Sequence, residues 1–456
     1  MSNIYGGDEV GAIVFDIGSY STKVGYAGED APKSEIPSII TIHDVPSKLA
    51  TDLDRAESGV TSKERRYYLD TTQVHYPRSE QEIKTFLRDG MIDDWDLFEK
   101  MLDYIYLKHI MSESSQHPVM FSEVSWTTKK CREKLTEIMF EKYNIPAFYL
   151  AKNATLVAFS TGRPTGIVFD SGAQHTAAVP VFEGYVLEKA IKRNHIAGEF
   201  ITSLCYKHLN EKKIEVNPHY MIKSKEPVEP NQPSKWTKRT LPEGLSKSWQ
   251  NYMLLSEIRD YKASVLRVYD SEYNRDDADK YYDPINYHFP DGYNLNVSLD
   301  DQFLIPEMFF NSSFRISDYR KETSDVPSQT NPLSLSSSLY SYLTPPKDWS
   351  TYPDLLMSSV NDCDIDIRPL LLSSIILAGG NTLLEGFTDR MTNEILSLAP
   401  KNYRVKLVSN NSTIERKYAS WIGGSILASL GSFQQLWISK LEYEESGKSC
   451  VSKEVR

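Results

Sequence analysis

The feature that most constrains this chain is a unit that occurs twice: an apolar run ends in Asp-x-Gly and then resumes as a second extended run. The first copy is Val14-Phe15-Asp16-Ile17-Gly18, followed by Ser19-Tyr20-Ser21-Thr22-Lys23. The second is Val168-Phe169-Asp170-Ser171-Gly172, followed by Ala173-Gln174-His175-Thr176. Short runs rich in Val, Ile and Phe and closed by Gly read as buried strands. The extended stretches 24–27 and 177–182 complete two strand–turn–strand units. Matched placement of Asp in both points to a duplicated domain.

A third unit differs. Residues 375–378 read as a strand, Gly379-Gly380-Asn381-Thr382 as a turn, and 383–395 as a helix. Helical spacing also runs over 96–108, 129–142 and 256–268, and small and large apolar residues alternate over 421–430, as in a close-packed helix. Strands mixed with helices throughout give an α/β class. Three polar stretches break the pattern. Residues 43–66 have little periodicity, 223–248 are rich in Pro, Lys and Ser, and 318–352 read as an exposed, partly mobile insertion.

A chain of 456 residues fits two lobes of ordinary size. Acidic side chains outnumber basic ones by 62 to 51, a net charge of −11, which argues against direct sequence-specific DNA binding by this chain alone. Cys131, Cys205, Cys363 and Cys450 form no CxxC pair or zinc spacing, so reduced thiols are expected. Residues 1–16 lack the features of a signal peptide, and no run approaches the ~20 apolar residues of a membrane helix. The basic residues Lys235, Lys238 and Arg239 read as a solvated loop before they read as a nuclear address.

Glycine in a tight turn lets backbone N–H groups approach a phosphate. Ser19 and Ser171 add hydroxyl donors and Lys23 a point charge. Two such turns facing across a cleft would clamp a triphosphate. Asp16 and Asp170 would then require a cation between carboxylate and phosphate, held through water as Mg²⁺ prefers. The chain lacks GxxxxGK[ST], which excludes a P-loop, and lacks a GxGxxG after a strand, which disfavours a Rossmann fold. It also lacks HExxH and GxSxG, and its nine histidines show no cluster in sequence.

These residues resemble actin. Asp16 to Lys23 with 24–32 is similar to its first phosphate segment, and 166–172 to its second. Glu415-Arg416-Lys417-Tyr418, then 421–430 and 433–440, resemble its C-terminal region, as 132–141 and 363–368 resemble intermediate parts. The likeness fails over 43–85, 209–250 and 318–352. The opening Tyr5-Gly6-Gly7-Asp8-Glu9-Val10-Gly11-Ala12 resembles the nuclear subfamily of actin-related proteins, as do Tyr220-Met221-Ile222 and Ala378-Gly379-Gly380-Asn381-Thr382-Leu383.

The resemblance implies an actin-like ATPase fold, two duplicated lobes in four subdomains around a nucleotide cleft. The first lobe would take 1–160 and 419–456, with a divergent outer subdomain about 38–85. The second would take 161–418, with its outer subdomain about 198–311. By position, nucleotide contacts fall on Asp16, Gly18, Ser19, Lys23, Asp170, Ser171, Gly172, Gly198, Arg259, Lys262, Gly379, Gly380 and Lys417. Mg²⁺ (or Ca²⁺) with ATP would sit by Asp16 and Asp170. A cleft for partner helices falls on Phe159, Gly162, Leu427, Leu430 and Leu436, though Leu427 reads almost as well as ordinary core. Also implied are a nuclear location with a cytoplasmic fraction and membership of chromatin-remodelling and histone-acetyltransferase complexes. The expected partners are actin, an actin-recruiting helix of a remodeller ATPase or acetyltransferase scaffold, and histones or the nucleosome through the complex.

The chain departs from actin where hydrolysis happens. The Gln that positions the attacking water corresponds to Asn153, and the His of the same network to Ala177. Ala173 stands for a carboxylate, Tyr20 for a Gly of the first turn and Ala263 for the ribose-binding Glu. A water displaced by about 1 Å costs about 10²-fold in rate. The expectation is therefore a nucleotide-holding subunit with no catalytic residues. The alternative is a filament-forming ATPase. Against it stand the residues above and the lost likeness in the contact segments near 43–66 and 318–352. A sugar kinase of the same superfold would need a carboxylate base facing a sugar pocket, and the sequence offers no candidate.

Overall fold

A computed structural model describes residues 11–46, 63–311, 349–409 and 412–452. Residues 5–10 of the opening, 47–62 and most of the 318–352 segment lie outside the described residues.

Both copies of the repeated unit form antiparallel hairpins. The first pairs β1 (Ile13–Ile17) with β2 (Ser21–Tyr26), and the second pairs β3 (Gly166–Ser171) with β4 (Thr176–Phe182). Each hairpin sits in a separate mixed sheet. In the first sheet β1 runs parallel to Val119–Glu123, which runs parallel to Ala147–Lys152. In the second, β3 runs parallel to Ile375–Ala378, which runs parallel to Leu407–Val408. The two hairpins are therefore equivalent in register as well as in sequence.

Two helices fill the layer between the sheets. Asn153–Ser160 presents Leu156 to Val14 and Met120 of the first sheet, and Ala154 and Val157 to Val168 and Val179 of the second. Ala419–Ser429 crosses it at backbone contact. A Cβ on Gly423 would lie 1.8 Å from the Leu156 carbonyl oxygen, so only Gly permits the crossing. Larger apolar clusters cover the outer faces of both sheets, around Phe15, Phe98 and Phe148 in one and Phe169, Phe200 and Phe387 in the other.

The predicted helices over 96–108 and 129–142 appear as Trp95–Ile105, continued by a π-turn Tyr106–Ile110, and as Lys129–Glu141. The helix expected over 256–268 is longer and begins earlier, at Lys247, capped by Ser246. Its first turns bury Trp249, Tyr252 and Met253 in a separate aromatic cluster, which blurs the single-face periodicity. The helix expected over 383–395 starts only at Phe387. A 3-10 turn Gly380–Leu383 and a left-handed Gly386 intervene. The stretch 223–248 is not wholly irregular, since Ile222–Glu226 and Lys235–Lys238 pair as a hairpin. Likewise Ile40–Pro46 and Lys63–Tyr68 pair as strands flanking the polar segment. Thr351 and Tyr352 are buried rather than part of an exposed insertion. Tyr352 starts a helix and stacks on Phe309 at 4.3 Å.

Candidate nucleotide site

The turns of the two hairpins open into one cleft of about 620 Å³ between the sheets. It is lined by Asp16, Gly18, Ser19, Lys23, Asp170, Gly172, Gly198, Arg259, Lys262, Gly379, Gly380 and Lys417. The structure thus gathers all but one of the nucleotide positions expected from the sequence. The exception is Ser171, whose hydroxyl points into the core. It bonds Thr176 Oγ1 at 2.8 Å and Tyr352 Oη at 3.1 Å, and accepts from Asn381 Nδ2 at 3.0 Å. The Ser171 hydroxyl, expected from sequence as a phosphate donor, is thus engaged by Asn381, Thr176 and Tyr352 and is not among the groups lining the cleft.

The two aspartates occupy equivalent places in unequal surroundings. Asp16 pairs in register with Lys23 on one side and Ser122 on the other. It accepts from Lys23 Nζ at 3.3 Å and from Ser122 Oγ at 2.5 Å. Asp170 pairs in register with Ala177 and Ala378. Burial, and then the charge of Asp16, push the Asp170 carboxyl up to about 6. Gly379, at φ +85°, lies so close that a Cβ there would meet Ser171 O at 2.3 Å and Asp170 Oδ1 at 2.5 Å. A desolvated carboxylate beside a second one, facing a roomy cleft, fits a divalent cation at this point.

Around the hydrolytic positions the polar groups are already engaged. Asn153 Nδ2 donates to Asp170 Oδ2 at 3.4 Å, and Asn153 Oδ1 accepts from Ser125 Oγ at 3.2 Å and the Ala154 N–H at 2.9 Å. Ala177 is buried with no side-chain polar atom.

The actin family matches residues 7–456. The chain belongs to the actin family. It is similar over its whole length to proteins called actin-related protein 4. That of Arabidopsis thaliana is 36% identical over 99% of both chains. That of Oryza sativa subsp. indica is 37% identical over 99% of both. That of Schizosaccharomyces pombe is 32% identical over 98% of this chain and 97% of its own length.

In this actin-related chain the rest of the cleft holds three further arrangements. Lys417 Nζ lies 2.7 Å from Glu35 Oε2, which also accepts from Tyr418 Oη at 2.8 Å. Lys262 Nζ donates to Gly198 O at 3.0 Å. Arg259 grips Glu199 with two bonds of 3.0 and 2.9 Å. Tyr20, half exposed at the mouth, has the Arg259 guanidinium 5.7 Å from its ring centre.

At the turn of the second hairpin lies a cluster that the sequence did not reveal. Asp89, in a turn at φ 54°, accepts from His175 Nε2 at 2.8 Å and Arg193 Nη1 at 2.7 Å, while Trp126 Nε1 holds its carbonyl at 3.0 Å. The ring of His195 lies 4.9 Å from that of His175, tilted to it by 55°. The ligand atoms of Asp89, His175 and His195 lie within 4.8 Å of one another, but Arg193 already brings a cation to the carboxylate. The group is thus an ionic clasp from the Asp89 turn to the second hairpin. Burial alone would raise the Asp89 carboxyl, and the bonds from His175 and Arg193 outweigh it, bringing the carboxyl down to about 2. Asp89-Gly90 is a turn dipeptide, the one local sign that sequence offered.

The expected partner-helix positions divide. Leu430 and Leu436 are 42% and 50% exposed, Phe159 is half-buried, and Gly162 has open space about it. Leu427 is buried among Val14, Trp421 and Phe433, so it belongs to the core, not to a docking surface.

Proposed function

We propose that this chain is a nuclear actin-related subunit of chromatin-remodelling and histone-acetyltransferase complexes that holds Mg²⁺–ATP (or the Ca²⁺ form) as a structural ligand and hydrolyses it slowly or not at all. The observation carrying the nucleotide part is the pairing of the two Asp-x-Gly hairpins in one register around a single cleft, with Asp16 and Asp170 facing it. Gly18, Ser19, Lys23 and Gly172 would bind the phosphates, and Asp16 and Asp170 would hold the cation through its waters. The cation would neutralise the phosphates and the crowded carboxylates. A ligand touching both hairpins cross-links the two sheets and stabilises the native state by mass action.

Weak hydrolysis follows from the occupied amide of Asn153 and from Ala177, which leave neither position free to aim a water. The subunit role rests on the likeness to the nuclear subfamily and on the exposed Leu430 and Leu436 and the half-buried Phe159, apolar side chains of the kind an amphipathic helix takes. Actin and an actin-recruiting helix of a remodeller ATPase or acetyltransferase scaffold are the proposed partners, with histones and the nucleosome reached through the complex. The test is to purify the tagged chain from nuclei and identify both its protein partners and the nucleotide released on denaturation. Absence of actin and chromatin subunits from the eluate would defeat the subunit role, and absence of nucleotide the structural-ligand role.

A further inference from the structure

Besides Asp16 and Asp170, three carboxylates line the cleft among the described residues: Glu123, Glu199 and Glu385. Glu123 is paired with Arg132 and Lys152, each at 3.1 Å. Glu385 is paired with Arg267 at 3.0 Å and its side chain is 66% exposed. Glu199 is different. It stands in the first turn of the helix Gly198–Glu211, its side chain is only 16% exposed, and it adjoins Gly198, whose N–H bonds Gly172 O of the second hairpin at 3.0 Å.

A triphosphate offers only acceptors and negative charge, so a carboxylate on its binding wall opposes it. Within the sugar–phosphate part of a nucleotide, hydrogen-bond donors occur at the ribose hydroxyls. A carboxylate has about four lone-pair sites, and the Arg259 fork takes one on each oxygen. The second site on each oxygen is the right pair for two vicinal hydroxyls. Arg259 itself is steadied between the rings of Tyr20 and Tyr252, at 5.7 and 5.6 Å, which fixes the plane of the acceptor it grips.

We propose that Glu199 is the acceptor for the ribose 2′,3′-diol in this chain, taking the role left open by Ala263 on the same wall of the cleft. This rests on the nucleotide reading above. It turns a position that weakens ribose recognition into one where recognition has moved to another helix. Arg259 is the positioning residue: it offsets the charge of Glu199 toward the phosphates and orients both oxygens.

The test uses the full chain freed of nucleotide and measures competitive binding of ATP and 2′,3′-dideoxy-ATP with Mg²⁺. The unmodified chain should prefer ATP by about tenfold or more, the worth of two hydrogen bonds to a charged acceptor. Glu199→Ala should bring that preference below about twofold, while affinity for the dideoxy triphosphate holds or rises because Arg259 is released toward the phosphates. A preference near one in the unmodified chain overturns the assignment without any variant. So does an undiminished preference in Glu199→Ala or, should that variant not fold, in Glu199→Gln. Failure of the unmodified chain to bind either triphosphate sinks the nucleotide reading itself, and the assignment with it.

Discussion

Asp170 lies directly across its hairpin from Ala177, in the register at which Asp16 lies across from Lys23. One duplicated frame therefore carries one neutralised aspartate and one that is not. The ordinary value of the Asp170 carboxyl is 3.8 and its folded value about 6. Between these the folded chain keeps a proton that the unfolded chain has lost. The stability of the nucleotide-free chain is then undiminished by this group below about pH 4, and falls as pH rises from about 4 to about 6. Asp170→Asn should remove that loss. Its unfolding midpoint without nucleotide should rise at pH 7, by an amount corresponding to about 1–2 kcal/mol. Its affinity for Mg²⁺–ATP should fall at least about tenfold. Thermal unfolding with and without Mg²⁺–ATP at pH 5 and pH 7 checks both. An unchanged midpoint together with unchanged Mg²⁺ dependence would remove the asymmetry argued here.

The Asp89 clasp has the opposite sign. Its carboxyl is held at about 2 against an ordinary 3.8, by His175 and Arg193 acting against burial. The stabilisation is present above about pH 4 and is lost as pH falls from about 4 to about 2. At pH 7, Asp89→Ala should lower the unfolding midpoint by the equivalent of about 1–2 kcal/mol. Amide exchange should rise in the 172–177 turn before it rises in the sheets, because the clasp holds that turn from outside. Equal protection of that turn in the variant and the unmodified chain would show that the clasp holds nothing.

Gly423→Ala is the most damaging small substitution in the layer between the sheets. The added methyl would lie 1.8 Å from the Leu156 carbonyl oxygen and 2.5 Å from its carbon, and neither is the end of a movable side chain. The Ala419–Ser429 and Asn153–Ser160 helices must separate, at about 3 kcal/mol or more. Soluble yield and unfolding midpoint should both drop sharply. Gly431→Ala, where a Cβ would meet nothing within 4 Å, should leave both unchanged.

What was legible in the sequence was whatever rests on local pattern. The β1–β2 and β3–β4 hairpins were readable because their apolar runs stop at Gly, and that alone placed Asp16 and Asp170 at equivalent points. The family likeness then supplied cleft residues as far apart as Gly198, Gly379 and Lys417, and these do converge. The long-range side-chain bonds were not legible. Ser171 looks like a phosphate ligand until Tyr352, 181 positions on, and Asn381 are seen to hold its hydroxyl. His175 and His195 look scattered until a turn and a strand edge bring them to Asp89. Leu427 and Leu430 look alike in sequence, yet the helix buries the first and exposes the second. The early start of the Lys247–Val265 helix was hidden because its aromatics pack on a different cluster from its later turns.

Hydrolysis should be recoverable by restoring polar groups where the structure lacks them. Ala177 stands opposite Asp170 on the cleft wall, and Asn153, one helix start away, has its amide committed to Asp170 and Ser125. A water entering there meets no side-chain acceptor at 177 and an amide already bonded at both ends. Ala177→His would add a ring nitrogen on that wall, and Asn153→Gln would extend the amide by one methylene past its present partners. Each change alone should act weakly, because positioning a water takes two points of contact. Together they should raise single-turnover phosphate release from bound Mg²⁺–ATP by at least about tenfold over the unmodified chain, a fraction of the about 10²-fold that positioning is worth. Affinity for Mg²⁺–ATP should fall by less than Asp170→Asn costs, since position 153 meets the cation side only through one long bond to Asp170 and neither position is Glu199. Release in the double variant no faster than in either single one would mean that the missing water network is not what limits the reaction. The cause would then be sought in how far the two hairpins close on the triphosphate.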